Sequence, residues 1–168
     1  MKAIVVMGVA GCGKSSVAAA CAQTLGWTLV EGDDHHPLSN RDKMSAGVAL
    51  DDDDRSAWLD LLGACLVEEL LDGGIVLTCS ALKRRYRERL RAAAPGLGFV
   101  WLRIDEAQAL ARVALREGTH LFPPSLVASQ FLALEPPTGE PEVLELDAGL
   151  RLPELCDSVV DWVRSVPR

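Results

Sequence analysis

Short apolar stretches alternate with longer stretches of helical periodicity along almost the whole chain. The apolar stretches are rich in Val, Ile, Leu and aromatic residues, a pattern that predicts buried strands. We predict strands over Ala3–Met7, Thr28–Val30, Ile75–Thr78, Phe99–Ile104 and Val143–Leu146. We predict helices over Ser15–Leu25, Ser56–Leu71, Lys83–Ala93, Glu106–Arg116, Ser125–Leu134 and Leu152–Val163. This alternation is typical of an α/β fold, with a parallel five-stranded sheet flanked by helices on both faces.

The composition is that of an ordinary soluble domain, and the charge limits its partners. The 168 residues are 49% hydrophobic and 24% charged, and no apolar run reaches the length of a membrane span. Because no linker or repeat divides the chain, we expect a single domain over residues 1–168. The net charge of -7 disfavours general binding to nucleic acid or to an anionic membrane surface. An anionic ligand must therefore be held by local groups.

The cysteines indicate a reduced, cytoplasmic protein. The chain has five, an odd number, and they are scattered without the spacing of a zinc site. An alternative interpretation of the N-terminus is a short signal peptide, because Lys2 precedes an apolar stretch that ends near Cys12, a possible lipid acceptor. The same residues belong to a motif that explains them better.

The residues after the first predicted strand match a phosphate-binding loop. Gly8–Ser15 reads G-x-x-x-x-G-K-S between a predicted strand and a predicted helix, as this motif requires. Its glycines let backbone N–H groups turn towards a phosphate, and the helix N-terminus adds partial positive charge. Lys14 would reach the β- and γ-phosphates of a nucleotide, and Ser15 would ligate Mg²⁺. We therefore expect ATP contacts from Gly8, Gly11, Cys12, Gly13, Lys14, Ser15 and Ser16, with Cys12 as a small filler.

The rest of the sequence favours a small-molecule kinase over other nucleotide-binding classes. A GTPase would need a guanine-reading N-K-x-D motif, but the one asparagine, Asn40, is followed by Arg41. A mechanical ATPase would need a strand that ends in Asp-Glu, whereas the strand Ile75–Thr78 is followed by Cys79 and Ser80. In a kinase of this type, the second substrate meets ATP above the carboxyl ends of the strands. A non-catalytic ATP-binding protein remains the alternative.

The second predicted strand leads into acidic residues at that edge of the sheet. We expect Asp33 to accept the proton of an attacking hydroxyl or to hold a Mg²⁺-bound water. Asp33 and Asp34 could instead cap the following helix. Metal binding by His35 and His36 is disfavoured, because adjacent histidines point in different directions and no third ligand is suitably spaced.

Several further blocks of sequence, taken together with the phosphate-binding loop, resemble one family of kinases. They are Gly32–Pro37, Asn40, Lys43–Met44, Gly47, Leu50–Arg55 with Trp58–Leu59, Cys79–Lys83 with Tyr86–Arg87, and Ser129–Phe131 with Leu134–Pro136. Together they resemble the gluconokinases, the ATP-dependent kinases of D-gluconate. The resemblance implies a P-loop kinase fold, transfer of the γ-phosphate to the 6-hydroxyl of gluconate, Mg²⁺ dependence and a homodimer. A related kinase of another small acceptor, such as shikimate or a nucleotide, is the alternative.

Gluconate carries a carboxylate and a row of hydroxyls, so its site needs cations and hydrogen-bonding side chains. We expect substrate contacts from Asp33, His36, Lys43, Arg55, Lys83, Arg87 and Gln130, which lie in the blocks that match the family, and from His120, which lies in the segment 112–124. Lys83, Arg87 and Arg91 share one face of a predicted helix, whereas the other arginines of that helix fit a solvated face. A nucleic-acid patch is disfavoured there because no aromatic platform accompanies the charges. The run Asp51–Asp54 could be only the acidic first turn of a helix.

The residues from 112 to 124 would form the helical lid of such a kinase. Arg112 and Arg116 lie four residues apart, so they share a helix face and could contact adenine and phosphate as the lid closes. We expect Arg116 to neutralise the charge that develops during transfer. Gluconokinases usually read Arg-x-Gly-His-Phe-Met-Pro here, but this chain reads Gly-Thr-His-Leu-Phe-Pro over 118–123. This departure leaves open which arginine meets the phosphate.

Overall fold

The structure is a computed structural model that describes residues 1–115 and 124–166. Its strands are Ala3–Met7 (β1), Thr28–Glu31 (β2), Ile75–Thr78 (β3), Gly98–Arg103 (β4) and Val143–Asp147 (β5). Its helices are Lys14–Leu25 (α1), Leu38–Ser45 (α2), Asp52–Asp72 (α3), Arg84–Ala93 (α4), Glu106–Ala114 (α5), Val127–Ala133 (α6) and Leu152–Ser165 (α7). Arg116, His120 and most of the predicted lid lie outside the described residues.

The five strands form one parallel sheet in the order β2-β3-β1-β4-β5. The predicted parallel α/β fold is therefore confirmed. Strand β1 lies in the middle of the sheet, and all five of its residues are buried. Because parallel strands end at the same edge, the segments that follow β1, β2 and β3 meet there.

The core lies on both faces of the sheet, because successive side chains of a strand point in opposite directions. Ile4 and Val6 of β1 pack into a cluster with α1 and α7, whereas Val5 and Met7 pack into a second cluster with α3 and α4. Helices cover both faces of the sheet, so the β1–α1 connection follows a strand whose side chains are packed on both sides.

Helix α3 begins earlier than the predicted start at Ser56. The Asp51 carboxylate accepts a hydrogen bond from the Asp54 N–H at 2.8 Å, and the Asp54 carboxylate accepts one from the Asp51 N–H at 3.1 Å. This reciprocal pair satisfies backbone donors that the first turn of a helix leaves open. The interpretation of the four aspartates as an acidic helix start is correct. The predicted start at Ser56 was too late because these aspartates carry no apolar periodicity.

A buried ion pair joins α4 to the segment before β5. The side chains of Arg87 and Glu140 are 0% and 6% exposed, and the Arg87 Nη2 lies 2.5 Å from the Glu140 Oε1. The remaining N–H groups of Arg87 donate to Glu140 and to backbone carbonyls, those of Ala81, Leu82 and Glu135. The prediction that Arg87 binds substrate is therefore wrong, because its guanidinium is buried and every donor already has an acceptor.

Arg91 donates to the second oxygen of Glu140 at 2.8 Å, so one carboxylate serves two arginines of α4. Burial alone would raise the pKa of Glu140, but the hydrogen bonds and charges of Arg87 and Arg91 outweigh it and lower the pKa. Glu140 therefore stabilises the folded state when it is ionised.

We expect Glu140→Ala to lower the free energy of unfolding by about 3–5 kcal/mol, because it leaves the Arg87 charge buried and unpaired. The matched control is Glu88→Ala, which removes an exposed pair with Arg84 and should cost less than about 1 kcal/mol. Urea denaturation at pH 7 measures both values. Equal losses in the two variants would contradict a structural role for the Glu140 cluster.

The contribution of Glu140 to stability should also depend on pH, which a comparison of wild type with Glu140→Ala can test. Because the folded-state pKa of Glu140 is lowered, its contribution is complete above the pKa of an unfolded glutamate, about 4.3, and is lost as pH falls through the folded value. The stability difference between wild type and Glu140→Ala should therefore shrink on acidification below about pH 4.

Candidate active site

A cleft with a volume of about 340 Å³ lies at the carboxyl edge of the sheet. Residues of the β1–α1 loop, the turn after β2, the start of α3 and α6 line it. Its polar lining includes Lys14, Ser15, Asp33, His36, Arg55 and Gln130. The fold thus brings most of the predicted site residues together in one place, and the size of the cleft is that of a small-molecule site.

The β1–α1 loop has the geometry of an anion-binding loop. Gly11 and Gly13 adopt positive φ values of 81° and 96°, and a Cβ on Gly11 would lie only 2.8 Å from the Ala109 carbonyl oxygen. In the described structure, no side chain caps α1 after Gly13, so the N–H groups of its first turn are available to a ligand. The Lys14 Nζ donates to the Gly8 and Val9 carbonyls at 3.1 and 3.0 Å, which holds the ammonium against the loop.

The predicted ATP contacts of the loop divide into two groups. Lining the cleft are Gly11, Gly13, Lys14, Ser15 and Ser16, whereas Gly8 and Cys12 are not part of its wall. The Cys12 side chain is buried, and a Cβ on Gly8 would lie 2.8 Å from its sulfur. Gly8 therefore makes room for Cys12, whose side chain fills the space beneath the loop, as predicted for a small filler. The predicted ATP contacts of these two residues stay predictions.

Sequence reasoning missed a carboxylate that joins the loop to the sheet. The Ser15 Oγ donates to the Glu31 Oε2 at 3.1 Å, and the Thr78 Oγ1 donates to the same oxygen at 2.7 Å. Thr78 in turn accepts from the Gly32 N–H at 3.1 Å. The position of Glu31 at the carboxyl end of β2 could have indicated a site residue. Its contacts could not be predicted, because Ser15 and Thr78 are distant from it in the sequence.

Asp33 and His36 lie in and just after the 3₁₀ turn Gly32–His35. The Asp33 side chain is 75% exposed, and its Oδ1 lies 3.8 Å from the Nε2 of His36, whose side chain is 3% exposed. The His36 ring stacks on Trp58 with the centroids 4.0 Å apart. Burial lowers the pKa of His36 to about 4, against the opposing charge of Asp33. His36 is therefore neutral at pH 7.

The alternative that Asp33 or Asp34 caps the next helix is not supported. Pro37 occupies the position before α2, and in the described residues no side chain accepts a hydrogen bond from that helix start. Both aspartates instead line the cleft.

The cations of the predicted gluconate site differ in their surroundings. The Lys43 Nζ lies 2.6 Å from an Asp54 carboxylate oxygen, and the Lys83 Nζ lies 2.9 Å from one of Asp52. Neither lysine lines the cleft, and both neutralise the acidic start of α3. Their predicted contacts with substrate stay predictions. Arg55 does line the cleft, and within residues 1–115 and 124–166 it forms no salt bridge. Its guanidinium carbon lies 5.9 Å from the centroid of the Tyr86 ring.

Two further predicted residues make backbone contacts. The Gln130 Oε1 accepts from the Ala10 N–H at 2.6 Å, so this side chain holds the phosphate-binding loop even though it was predicted to bind substrate. Arg112, predicted to contact the nucleotide, donates from Nη2 to the Ala148 carbonyl at 3.0 Å and is not part of the cleft wall.

The oxygen donors near the loop suit Mg²⁺, which typically binds one or two protein oxygens together with phosphates and water. Ser15 and Glu31 supply such oxygens at the start of α1. The described residues contain no group of three or more His, Cys, Asp or Glu side chains that could hold a metal alone.

None of the helices within residues 1–115 and 124–166 is long and apolar enough to cross a membrane.

Comparison with known proteins gives consistent matches. The AAA-domain family matches residues 4–137. The gluconokinase of Gluconobacter oxydans is 45% identical over 144 residues, which cover 85% of this chain and 80% of that protein. The crystal structure of a gluconokinase from Sinorhizobium meliloti superposes with a TM-score of 0.87 at 42% identity, over 97% of this chain and 91% of that one. A sugar kinase from a Janibacter species superposes with a TM-score of 0.92 at 33% identity, over 99% and 96% of the two chains.

These matches extend over nearly all of the elements that build the cleft, from β1 and its phosphate-binding loop to α6. Identity at this level over most of both chains, with the same fold, is shared by members of one family. The chain therefore belongs to the gluconokinase family of P-loop kinases.

Proposed function

We propose that this protein transfers the γ-phosphate of ATP to the 6-hydroxyl of D-gluconate, giving 6-phosphogluconate. The observation that supports this most strongly is the placement of Arg55, free of ion pairs in the described residues, in the same cleft as the phosphate-binding loop and Asp33. A cation at that position can receive the carboxylate of an acceptor whose hydroxyl reaches towards Asp33.

Two anionic substrates require separate cationic subsites. The N–H groups of α1 and the Lys14 ammonium would hold the phosphates of ATP. The planar guanidinium of Arg55 would bind the gluconate carboxylate through paired hydrogen bonds. The subsites lie in one cleft, so the acceptor hydroxyl and the γ-phosphate can be held close together, which is the main requirement of phosphoryl transfer.

Asp33 is the group best placed to manage the acceptor proton. It lines the cleft, and its side chain is largely exposed there. As the hydroxyl oxygen bonds to the γ-phosphorus and the bond to ADP breaks, the hydroxyl proton would pass to the Asp33 carboxylate. Arg116, outside the described residues, remains our prediction for the residue that neutralises the transferred group.

We further propose that Ser15 and Glu31 hold Mg²⁺, with Asp33 contacting a metal-bound water. When bound, Mg²⁺ neutralises phosphate charge and helps to orient the nucleotide. The contribution of the protein is the carboxylate of Glu31, which the hydroxyls of Thr78 and Ser15 hold in one orientation.

We also propose a cytoplasmic homodimer, as the family resemblance implies. Leu61, Val67 and Leu71 of α3 are exposed apolar side chains that a second copy could cover. The five cysteines form no disulfide in the structure, which fits a reducing compartment.

The function is tested by ADP release in the presence of ATP, Mg²⁺ and one acceptor at a time: gluconate, shikimate, other sugar acids and nucleoside monophosphates. We expect turnover with gluconate and a loss of about 100-fold or more in kcat for Asp33→Asn, because the proton acceptor is removed. Asp34→Asn is the matched control and should retain most activity.

Good turnover of another acceptor without turnover of gluconate would contradict the proposed substrate. Nucleotide binding without turnover of any acceptor, in wild type as in Asp33→Asn, would favour the non-catalytic alternative.

A second prediction concerns the metal. Glu31→Gln should weaken the apparent affinity for Mg²⁺ about 10-fold or more, because an amide neither matches the charge nor accepts both hydroxyls equally well. Calorimetric titration of ATP with and without Mg²⁺ separates this effect from nucleotide binding itself. Thr78→Ser, which keeps the hydroxyl, is the control. An unchanged Mg²⁺ dependence in Glu31→Gln would exclude Glu31 from the metal site.

A further inference from the structure

Asn40 is a buried polar residue that the proposed mechanism does not use. It lies in the first turn of α2, is 2% exposed, and is not part of the cleft wall. Its side chain lies between the backbone at the start of α3 and the ring of His36, which does line the cleft.

The orientation of the Asn40 amide follows from chemistry. Its Nδ2 lies 2.8 Å from the carbonyl oxygen of Asp54, and a carbonyl oxygen can only accept a hydrogen bond. Turning the amide over would place two acceptors against each other in a buried site, which is costly. One hydrogen of Nδ2 is therefore used by Asp54, and the second remains for the Nδ1 of His36, 3.4 Å away.

This contact determines where His36 carries its proton. An amide nitrogen donates and does not accept, so the Nδ1 of His36 must be the accepting, unprotonated ring nitrogen. A neutral imidazole has one N–H, which must then lie on Nε2. Nε2 is the nitrogen that faces Asp33, at 3.8 Å from Oδ1.

We propose that Asn40 is a positioning residue that fixes His36 as the Nε2–H tautomer, so that the Nε2–H group faces Asp33 and the acceptor oxygen and His36 cannot serve as the base. The part of this inference that concerns the acceptor rests on the proposed function. Of the two neighbouring groups, only the Asp33 carboxylate can then take the hydroxyl proton, while His36 holds oxygen atoms in place.

The surroundings of His36 keep its ring neutral and restrict its orientation. Its stacking on Trp58, with an interplanar angle of 17°, restricts the plane of the ring. Three charged groups face it: Asp33 in its own turn, Arg41 of α2 and Arg55 of α3. Burial and the two arginines lower the pKa of His36, and Asp33 opposes them. At pH 6–8 the His36 ring can therefore adopt either of two neutral tautomers, and the hydrogen bond from Asn40 favours the one protonated on Nε2.

The tautomer can be measured directly by NMR on protein labelled with ¹⁵N-histidine. The chain has three histidines, so the spectrum is simple, and His35→Gln assigns the neighbouring signal. For wild type at pH 7, we expect His36 to show an unprotonated Nδ1 and a protonated Nε2, with no change to imidazolium down to about pH 5. The Nδ1–H pattern in wild type would overturn the proposal.

Asn40→Asp reverses the chemistry with little change in size. A carboxylate accepts where the amide donated, so His36 should change to the Nδ1–H tautomer or to the imidazolium at pH 7. Circular dichroism shows whether the variant is folded. If it is not, Asn40→Ala serves instead: it removes the donor and should give a mixture of tautomers. An unchanged His36 tautomer in a folded variant would contradict the proposal.

Kinetics separate positioning from general stability. Loss of the oriented donor should raise KM for the acceptor or lower kcat by about 10-fold, while KM for ATP stays the same. A variant that is only less stable would retain the wild-type tautomer and the wild-type KM for the acceptor, and that outcome also counts against the proposal. The tautomer measurement needs no turnover, so it stands or fails separately from the proposed substrate.

Discussion

Internal ion pairing engages three of the four lysines and arginines that were predicted to bind substrate. Lys43 is paired with Asp54, Lys83 with Asp52, and Arg87 with the buried Glu140. These pairs fasten α2, α4 and the segment before β5 to one another and to the start of α3. Among the described residues that line the cleft, the cations are Lys14 and Arg55. One belongs to the phosphate-binding loop, and the other, Arg55, is the cation that we propose for the second substrate.

The parallel sheet brings the segments that carry these two cations to the same cleft. Because β1, β2 and β3 end at one edge, the loop that holds Lys14, the turn that holds Asp33 and the carboxylate of Glu31 meet there. Packing on both faces of β1 supports the loop from below. A chain with a net charge of -7 can thus hold two small anions, since the charge that matters is local.

The sequence was sufficient for features that depend on local pattern. The strands were predicted because buried β-branched runs are short and bounded, and the loop because its glycines, Lys14 and Ser15 stand at fixed spacing. Helix α2 was missed, because only Asn40 and Met44 of its eight residues are buried and no apolar period marks it.

The errors at the site have a common cause. Helical spacing showed that Lys83, Arg87 and Arg91 share a face, but it carries no information about what that face meets. Glu140 is distant in the sequence from both arginines that it pairs with, and the same is true of Thr78 and Glu31. The Asn40–His36 contact is local in sequence, yet its meaning depends on the Asp54 carbonyl, which only the fold brings near.

The proposed preference for gluconate depends most directly on the pairing of Arg55 with the acceptor carboxylate. The measurement is a cycle of binding free energies, with wild type and Arg55→Gln each titrated by calorimetry with gluconate and with D-glucitol, which lacks the carboxylate. We predict that wild type prefers gluconate by about 10-fold or more and that Arg55→Gln loses this preference while its affinity for glucitol is little changed. An undiminished preference for gluconate in Arg55→Gln would contradict this role of Arg55.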